Sequence, residues 1–179
     1  MATVSFPNLA SDRLLLRQIS EKDTPNIYNG LSDKEVTKYY GVSFETLEAT
    51  TEQMTWYKDL EQNQTGIWWA ICSPDNEIFY GATGFSNLSK AHQKAEIGLW
   101  LLPAFWGKGF MQESFSLICD YGFGQLGLNR IEGFVDSENK NCRNALKKLN
   151  FTCEGTMRES EIKNQKYLNI EIYARLKCD

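Results

Sequence analysis

Between Leu101 and Met111 the chain reads Leu-Leu-Pro-Ala-Phe-Trp-Gly-Lys-Gly-Phe-Met, leaving a strand pattern and opening a helical one. The first N–H groups of a helix lack intrahelical partners and carry the positive end of its dipole. Two glycines, Gly107 and Gly109, let such a backbone come close to a ligand. The turn therefore suits a phosphate or diphosphate, with Lys108 as an added cation. It is not the dinucleotide fingerprint, which needs a third glycine where Gln112 stands. Nor is it the nucleotide-triphosphate loop, which needs Ser or Thr where Gly109 stands. Taken alone, a plain strand-to-helix turn explains the same residues.

Other chemistry is excluded by what the chain lacks. Its five cysteines include no Cys-x-x-Cys pair, which suggests neither a disulfide framework nor a zinc site. The single His92 sits in a turn-like Ser-Lys-Ala-His-Gln-Lys run, so no His-based metal cluster is expected. No metal is assigned. The formal charge of −4 and pI near 5.2 argue against binding a phosphate backbone. That charge is uneven: Lys140 to Lys166 carries seven basic residues against three acids, a local +4 that leaves −8 elsewhere. An anion is expected near the basic stretch and a cation near the rest. No run approaches the roughly 18 to 20 apolar residues of a membrane span, and the opening residues lack a leader pattern. A cytoplasmic protein is expected.

These residues need elements to position them. Arg13 to Ile19 reads as a strand, and Ser20 with Asp23 reads as a capping box opening a helix. A short helix is expected from Ser32, and another between Glu45 and Gln62, with Leu47, Met54, Tyr57 and Leu60 on its apolar side. Gly66–Ser73 and Glu77–Phe85 read as a hairpin around Pro74-Asp75-Asn76. After a polar Ser-Asn-Leu-Ser-Lys-Ala-His-Gln turn, Lys94–Leu102 reads as a third strand. Phe110–Leu126 reads as a helix, Arg130–Val135 as a strand and Asn141–Leu149 as a helix. Phe151–Ile162 and Tyr167–Leu176 close the chain as a pair of strands. The order is α/β, and residues 1–179 show no linker or repeat, so one domain is expected.

In this setting Trp106-Gly107-Lys108-Gly109-Phe110-Met111 resembles the diphosphate-binding motif of the GNAT acyl-CoA N-acyltransferases, in the form used by their RimJ/RimL-type branch. The resemblance extends through Ser11-Asp12-Arg13-Leu14-Leu15-Leu16-Arg17, Glu96-Ile97-Gly98-Leu99-Trp100 and Asn129-Arg130-Ile131. It continues through Asn139-x-x-Cys142 to Lys147-Lys148-Leu149-Asn150-Phe151. Cys142 stands where the family usually has Ser, Asn150 where it has Gly, and Asn169 where it has Asp. Asn150 fits the left-handed turn that ends a helix.

The resemblance implies an α/β (α+β) GNAT fold. Its central sheet is mixed, mostly antiparallel and splayed between the fourth and fifth strands, with flanking helices. It implies an acetyl-CoA-dependent N-acetyltransferase in which an amine attacks the thioester directly. Glu96, on a strand face shared with Gly98 and Trp100, becomes the candidate base. Leu99 and Leu101 would lend backbone groups to the pantetheine arm. Trp106, Gly107, Lys108, Gly109, Phe110 and Met111 would hold the diphosphate, and Asn139 would either contact the cofactor or cap the following helix. Cys142, with a pKa similar to that of the departing thiol, could protonate it nearly without cost. Arg143, Lys147 and Lys148 could meet the 3′-phosphate, so the +4 segment would face the cofactor. Tyr39, Tyr40, Trp56, Trp68 and Trp69 are candidates for the acceptor wall. The leading acceptor is a protein N-terminal amine; a small amine such as a polyamine, or a CoA-binding module without turnover, are the alternatives. A monomer or homodimer is expected.

Overall fold

The computed structural model describes residues 6–179; Met1–Ser5, which begin the opening read above for a leader pattern, lie outside the described residues. Strands β1 (Leu9–Ala10) and β2 (Leu15–Gln18) are followed by helices α1 (Thr24–Leu31), α2 (Lys34–Thr37) and α3 (Thr51–Gln62). Then come β3 (Ile67–Cys72), β4 (Phe79–Ser89), β5 (Lys94–Leu101), α4 (Phe110–Gly124), β6 (Arg130–Asp136), α5 (Lys140–Lys148), β7 (Thr152–Lys163) and β8 (Lys166–Leu176). The strands form one open sheet in the order β1-β2-β3-β4-β5-β6-β8-β7. Every pairing is antiparallel except β5 with β6.

That parallel pair is in register only over Lys94–Arg130, Ala95–Ile131 and Glu96–Glu132. Beyond it β5 runs on to Leu101 and β6 to Asp136 without pairing to each other, which opens a wedge in the sheet. The splay expected between the fourth and fifth strands is therefore present. It falls between the fifth and sixth because Leu9–Ala10 adds a short edge strand that its two residues did not reveal.

Alternation along the strands divides the core. Leu14, Leu16, Trp69, Ile71, Ala95 and Ile97 pack with Phe115, Ile118 and Cys119 of α4. Trp68, Ala70, Ala82 and Trp100 pack with Ile27 and Leu31 of α1 and Met54, Tyr57 and Leu60 of α3. Each large side chain buried this way contributes about 1.5–3 kcal/mol. The Ser20 N–H donates to Asp23 Oδ2 at 2.8 Å, as the capping pattern predicts. Asp23 is buried and also accepts from both terminal nitrogens of Arg17. Burial alone would raise its carboxyl, but these hydrogen bonds carry it below its ordinary value.

Several boundaries differ from the sequence reading. The short helix starts at Lys34, because Asp33 Oδ1 accepts from the N–H groups of Glu35 and Val36 and so supplies the cap. The next begins at Thr51, leaving Leu47 outside it and 47% exposed. Between them the Thr46 hydroxyl accepts from the Ala49 N–H, and Thr51 donates to the Glu48 carbonyl. Such local hydrogen bonds compete with helix. Strand β4 continues to Ser89, so half of the expected polar turn is strand, pairing across an irregularity with Glu96 and Lys94. Asn150 has φ +63, the left-handed residue expected at the end of α5.

Candidate active site

Gly107 and Gly109 have φ of +73 and +81, which side-chain-bearing residues rarely adopt. Gly109 is the cap residue of α4, so the first N–H groups of that helix open toward the turn. The Trp106 indole N–H donates to the Leu101 carbonyl at 2.8 Å and closes the turn onto the end of β5. Phe110 stacks on Tyr80 with centroids 4.8 Å apart, which anchors the helix start in the core.

The wedge exposes backbone. The Leu102 N–H bonds the Tyr80 carbonyl of β4, and the Gln93 carbonyl accepts from Asn129 and Arg130 on the β6 side. Residues of β5 alternate, so Leu99 and Leu101 direct their backbone groups to the β6 side, where β6 has already parted. The Leu101 carbonyl is taken by Trp106, leaving its N–H; Leu99 keeps both groups. These groups, with the α4 N–H groups, fit an extended amide-bearing arm ending in a diphosphate.

A cleft of about 950 Å³ joins these features. It is lined by Ile97 to Leu101, by Trp106, Gly107 and Gly109 to Gln112, by Gly133 to Asp136, by Asn139 and Cys142, and by Glu35, Tyr39 and Tyr40. It thus brings together Leu99, Leu101, Trp106, Gly107, Gly109, Phe110, Met111, Asn139 and Cys142 from distant parts of the chain. Asn139 caps α5: its Oδ1 accepts from the Cys142 N–H at 3.1 Å. Its side-chain amide N–H groups have no partner among the described residues, so both readings of this residue remain compatible.

Other expected residues lie elsewhere. Lys108 does not line the cleft; its ammonium lies 5.2 Å from the Phe105 ring centroid. Arg143 is held away by Glu171, at 2.8 Å, and by the Ser137 carbonyl at 2.9 Å. Of the basic residues on α5, only Lys148 reaches the cleft wall. Trp68 and Trp69 are core residues at 3% and 0% exposure, and Trp56 packs on Trp68 outside the cleft. Tyr39 and Tyr40 line the cleft.

Glu96 shares its strand face with Gly98 and Trp100, yet it does not line the cleft as they do, because β5 is still paired there. It is the last paired residue before the wedge. Its register partner Glu132 is engaged by Lys94 and Arg130. Burial raises the Glu132 carboxyl, but those two cations more than offset it, so it stays below its ordinary value. Glu96 makes no ion pair among the described residues and is the uncommitted carboxylate of the two.

Burial pushes the Cys142 thiol up to about 12, which makes it a weaker proton donor than an ordinary thiol. Asn169, noted as a departure, has a structural role, since its Oδ1 accepts from the Glu159 N–H at 2.9 Å, where β7 is irregular. In the sequence Arg13 is part of a strand pattern and of the opening stretch that carries the resemblance, with no role of its own. In the structure it donates to the Lys108 carbonyl, 95 positions away, a separation no local signal bridges.

The comparisons agree with this geometry. Residues 13–152 match the family model for the acetyltransferase (GNAT) domain. An uncharacterized N-acetyltransferase of Bacillus subtilis, YoaA, is 36% identical over 173 residues, covering 96% of this chain and 98% of that protein. A solved structure of RimL, a ribosomal L7/L12 alpha-N-protein acetyltransferase in complex with coenzyme A, superposes with TM-score 0.86 at 22% identity. It covers 95% of this chain and 98% of its own. A spermidine N-acetyltransferase from Vibrio cholerae in complex with CoA and spermine superposes with TM-score 0.84 at 21% identity, covering 94% and 98%. With its sheet splayed beside a glycine turn and its family match spanning most of its length, the chain belongs to the GNAT acetyltransferases and is an acetyl-CoA-dependent N-acetyltransferase.

Proposed function

We propose that the chain acetylates a protein N-terminal amine, which enters at the Tyr39–Tyr40 end of the cleft. The observation that carries this reading is that one cleft runs from the glycine turn, past the free backbone edge of β5, to that aromatic wall. When bound, acetyl-CoA supplies an activated acetyl thioester. The protein's part is to seat it. The N–H groups of Gly107 through Met111 hold the diphosphate, Leu99 and the Leu101 N–H pair with the arm, and the Asn139 amide donates from the opposite wall. An amine of pKa near 8–10 must lose a proton before attack. Glu96 takes it through water, since it stands just behind the opening of the wedge and its neighbour Glu132 is committed to Lys94 and Arg130.

The RimL likeness supports a protein acceptor, and Glu35 at the same end of the cleft supports a polyamine as the second reading. A thiol-release assay separates them. It compares peptides with a free Ser or Ala N-terminus, the same peptides N-formylated, and spermidine. Release with free peptides alone supports the proposal, whereas release with spermidine alone replaces it by the second reading. Binding of CoA without release for any acceptor would mean a module without turnover. With the accepted amine, Glu96→Gln should slow turnover most near neutral pH; equal rates across pH 6 to 9 would remove Glu96 as the base.

A further inference from the structure

We infer that Arg13 is a positioning residue for the glycine turn, setting the direction in which the Gly109 N–H points. The inference rests on reading that turn as the diphosphate seat. Arg13 Nη1 donates to the Lys108 carbonyl at 3.1 Å, and its Nε donates to Glu113 Oε2 at 2.9 Å, with Nη2 on the same oxygen. Ser11 Oγ donates to the other oxygen of Glu113 at 2.5 Å. The guanidinium also lies 5.1 Å from the Phe110 ring centroid. Arg13 is thus fixed to the first turn of α4 at two residues, Glu113 and Phe110, and holds one carbonyl of the preceding loop.

A trans peptide is planar, so its C=O and the next residue's N–H point in opposite directions. Holding the Lys108 carbonyl toward Arg13 sends the Gly109 N–H the other way, toward the cleft that Gly109 lines and Lys108 does not. The brace is needed because little else restrains this peptide. Glycine accepts either sign of φ, so rotation of the Lys108–Gly109 unit meets no side-chain barrier at position 109. A Cβ at Gly107 would meet nothing within 4 Å. Unbraced, the turn would present the N–H in one orientation and the carbonyl oxygen in the other, and an oxygen repels phosphate. Arg13 does not line the cleft, so it acts through the turn.

The test measures binding of CoA, 3′-dephospho-CoA and pantetheine by calorimetric titration to the wild type, Arg13→Met and Arg13→Lys. Arg13→Met should weaken CoA and 3′-dephospho-CoA by the same factor, roughly tenfold, the size of one charge-assisted hydrogen bond. Pantetheine, which lacks the diphosphate, should change by less than about twofold. Arg13→Lys should recover part of the loss, because one ammonium reaches the carbonyl but cannot also fork onto Glu113. A parallel loss for pantetheine would reduce Arg13 to a general structural role, and unchanged CoA affinity would remove its role altogether; either result overturns the inference. Wild-type affinity equal for CoA and pantetheine would instead overturn the diphosphate seat itself, and this inference with it.

Discussion

Cys142 shows how the surroundings of one side chain change its chemistry. Its backbone N–H is fixed by Asn139 and the residue lines the cleft, but burial pushes the thiol up to about 12. It therefore stays protonated at neutral pH, which disfavours a covalent acetyl-Cys step and makes it a reluctant acid. The expected outcome is that Cys142→Ser and Cys142→Ala each keep turnover within about threefold of the wild type, since no proton need pass through this atom. A hundredfold loss in Cys142→Ala restored in Cys142→Ser, read by steady-state thiol release, would return the acid role to this position. At this scale the sequence is readable where a residue acts on its own backbone. Asn150 takes the left-handed turn and Asn139 caps its helix, as local rules require. It is unreadable where a distant partner decides: Glu171, 28 positions on, takes up Arg143, and Lys108 gives Arg13 a partner that a strand pattern does not show.

Elements meet across the mouth of the cleft through one lysine. The β7–β8 hairpin turns on Asn164 and Gln165, with φ of +49 and +62, the two-residue turn that suits strand twist. It delivers Lys163 to the end of α2, where Nζ donates to the carbonyls of Thr37, Lys38 and Tyr40 at 2.5, 3.1 and 2.8 Å. A short helix ends with unpaired carbonyls, and an ammonium has three donors for them. This latch holds the Tyr39–Tyr40 wall against the other half of the sheet. Lys163→Met should therefore raise KM for the amine acceptor by roughly tenfold while CoA affinity stays within about twofold, because none of the hydrogen bonds of the latch involves the glycine turn. An equal loss of both in kinetics and titration would mean that the hairpin supports the whole cleft. Periodicity reveals the hairpin and α4 because both have long, regular patterns. It cannot reveal β1, two residues long, or place the start of α3, where threonine hydroxyls compete with the helix.

Across the whole molecule the charge division drawn from the sequence is largely redistributed by folding. Of the seven cations between Lys140 and Lys166, Arg143 and Lys166 pair with acids and Lys163 binds carbonyls, while Lys148 reaches the cleft. The larger consequence of charge lies at the joint of the sheet. Its two halves are in register over three residue pairs between β5 and β6, and there Lys94, Glu132, Arg130 and Glu154 form a chain of ion pairs reaching from β5 through β6 to β7. Glu132 is buried and its carboxyl is held below its ordinary value, and hydrogen bonds from Arg130 lower that of Glu154. For an acid depressed on folding, the contribution to stability is complete above its unfolded pKa, near 4.3, and is lost as pH falls through the lower folded value. Glu132→Gln removes the central charge and leaves two cations facing a neutral amide, so it should cost about 2–4 kcal/mol at pH 7. In urea unfolding followed from pH 7 down to pH 3, the gap between variant and wild type should narrow as the wild-type carboxylate is protonated. A gap of constant size across that range would show that Glu132 holds the joint by its shape and neutral hydrogen bonds, and that charge contributes nothing to keeping the two halves together.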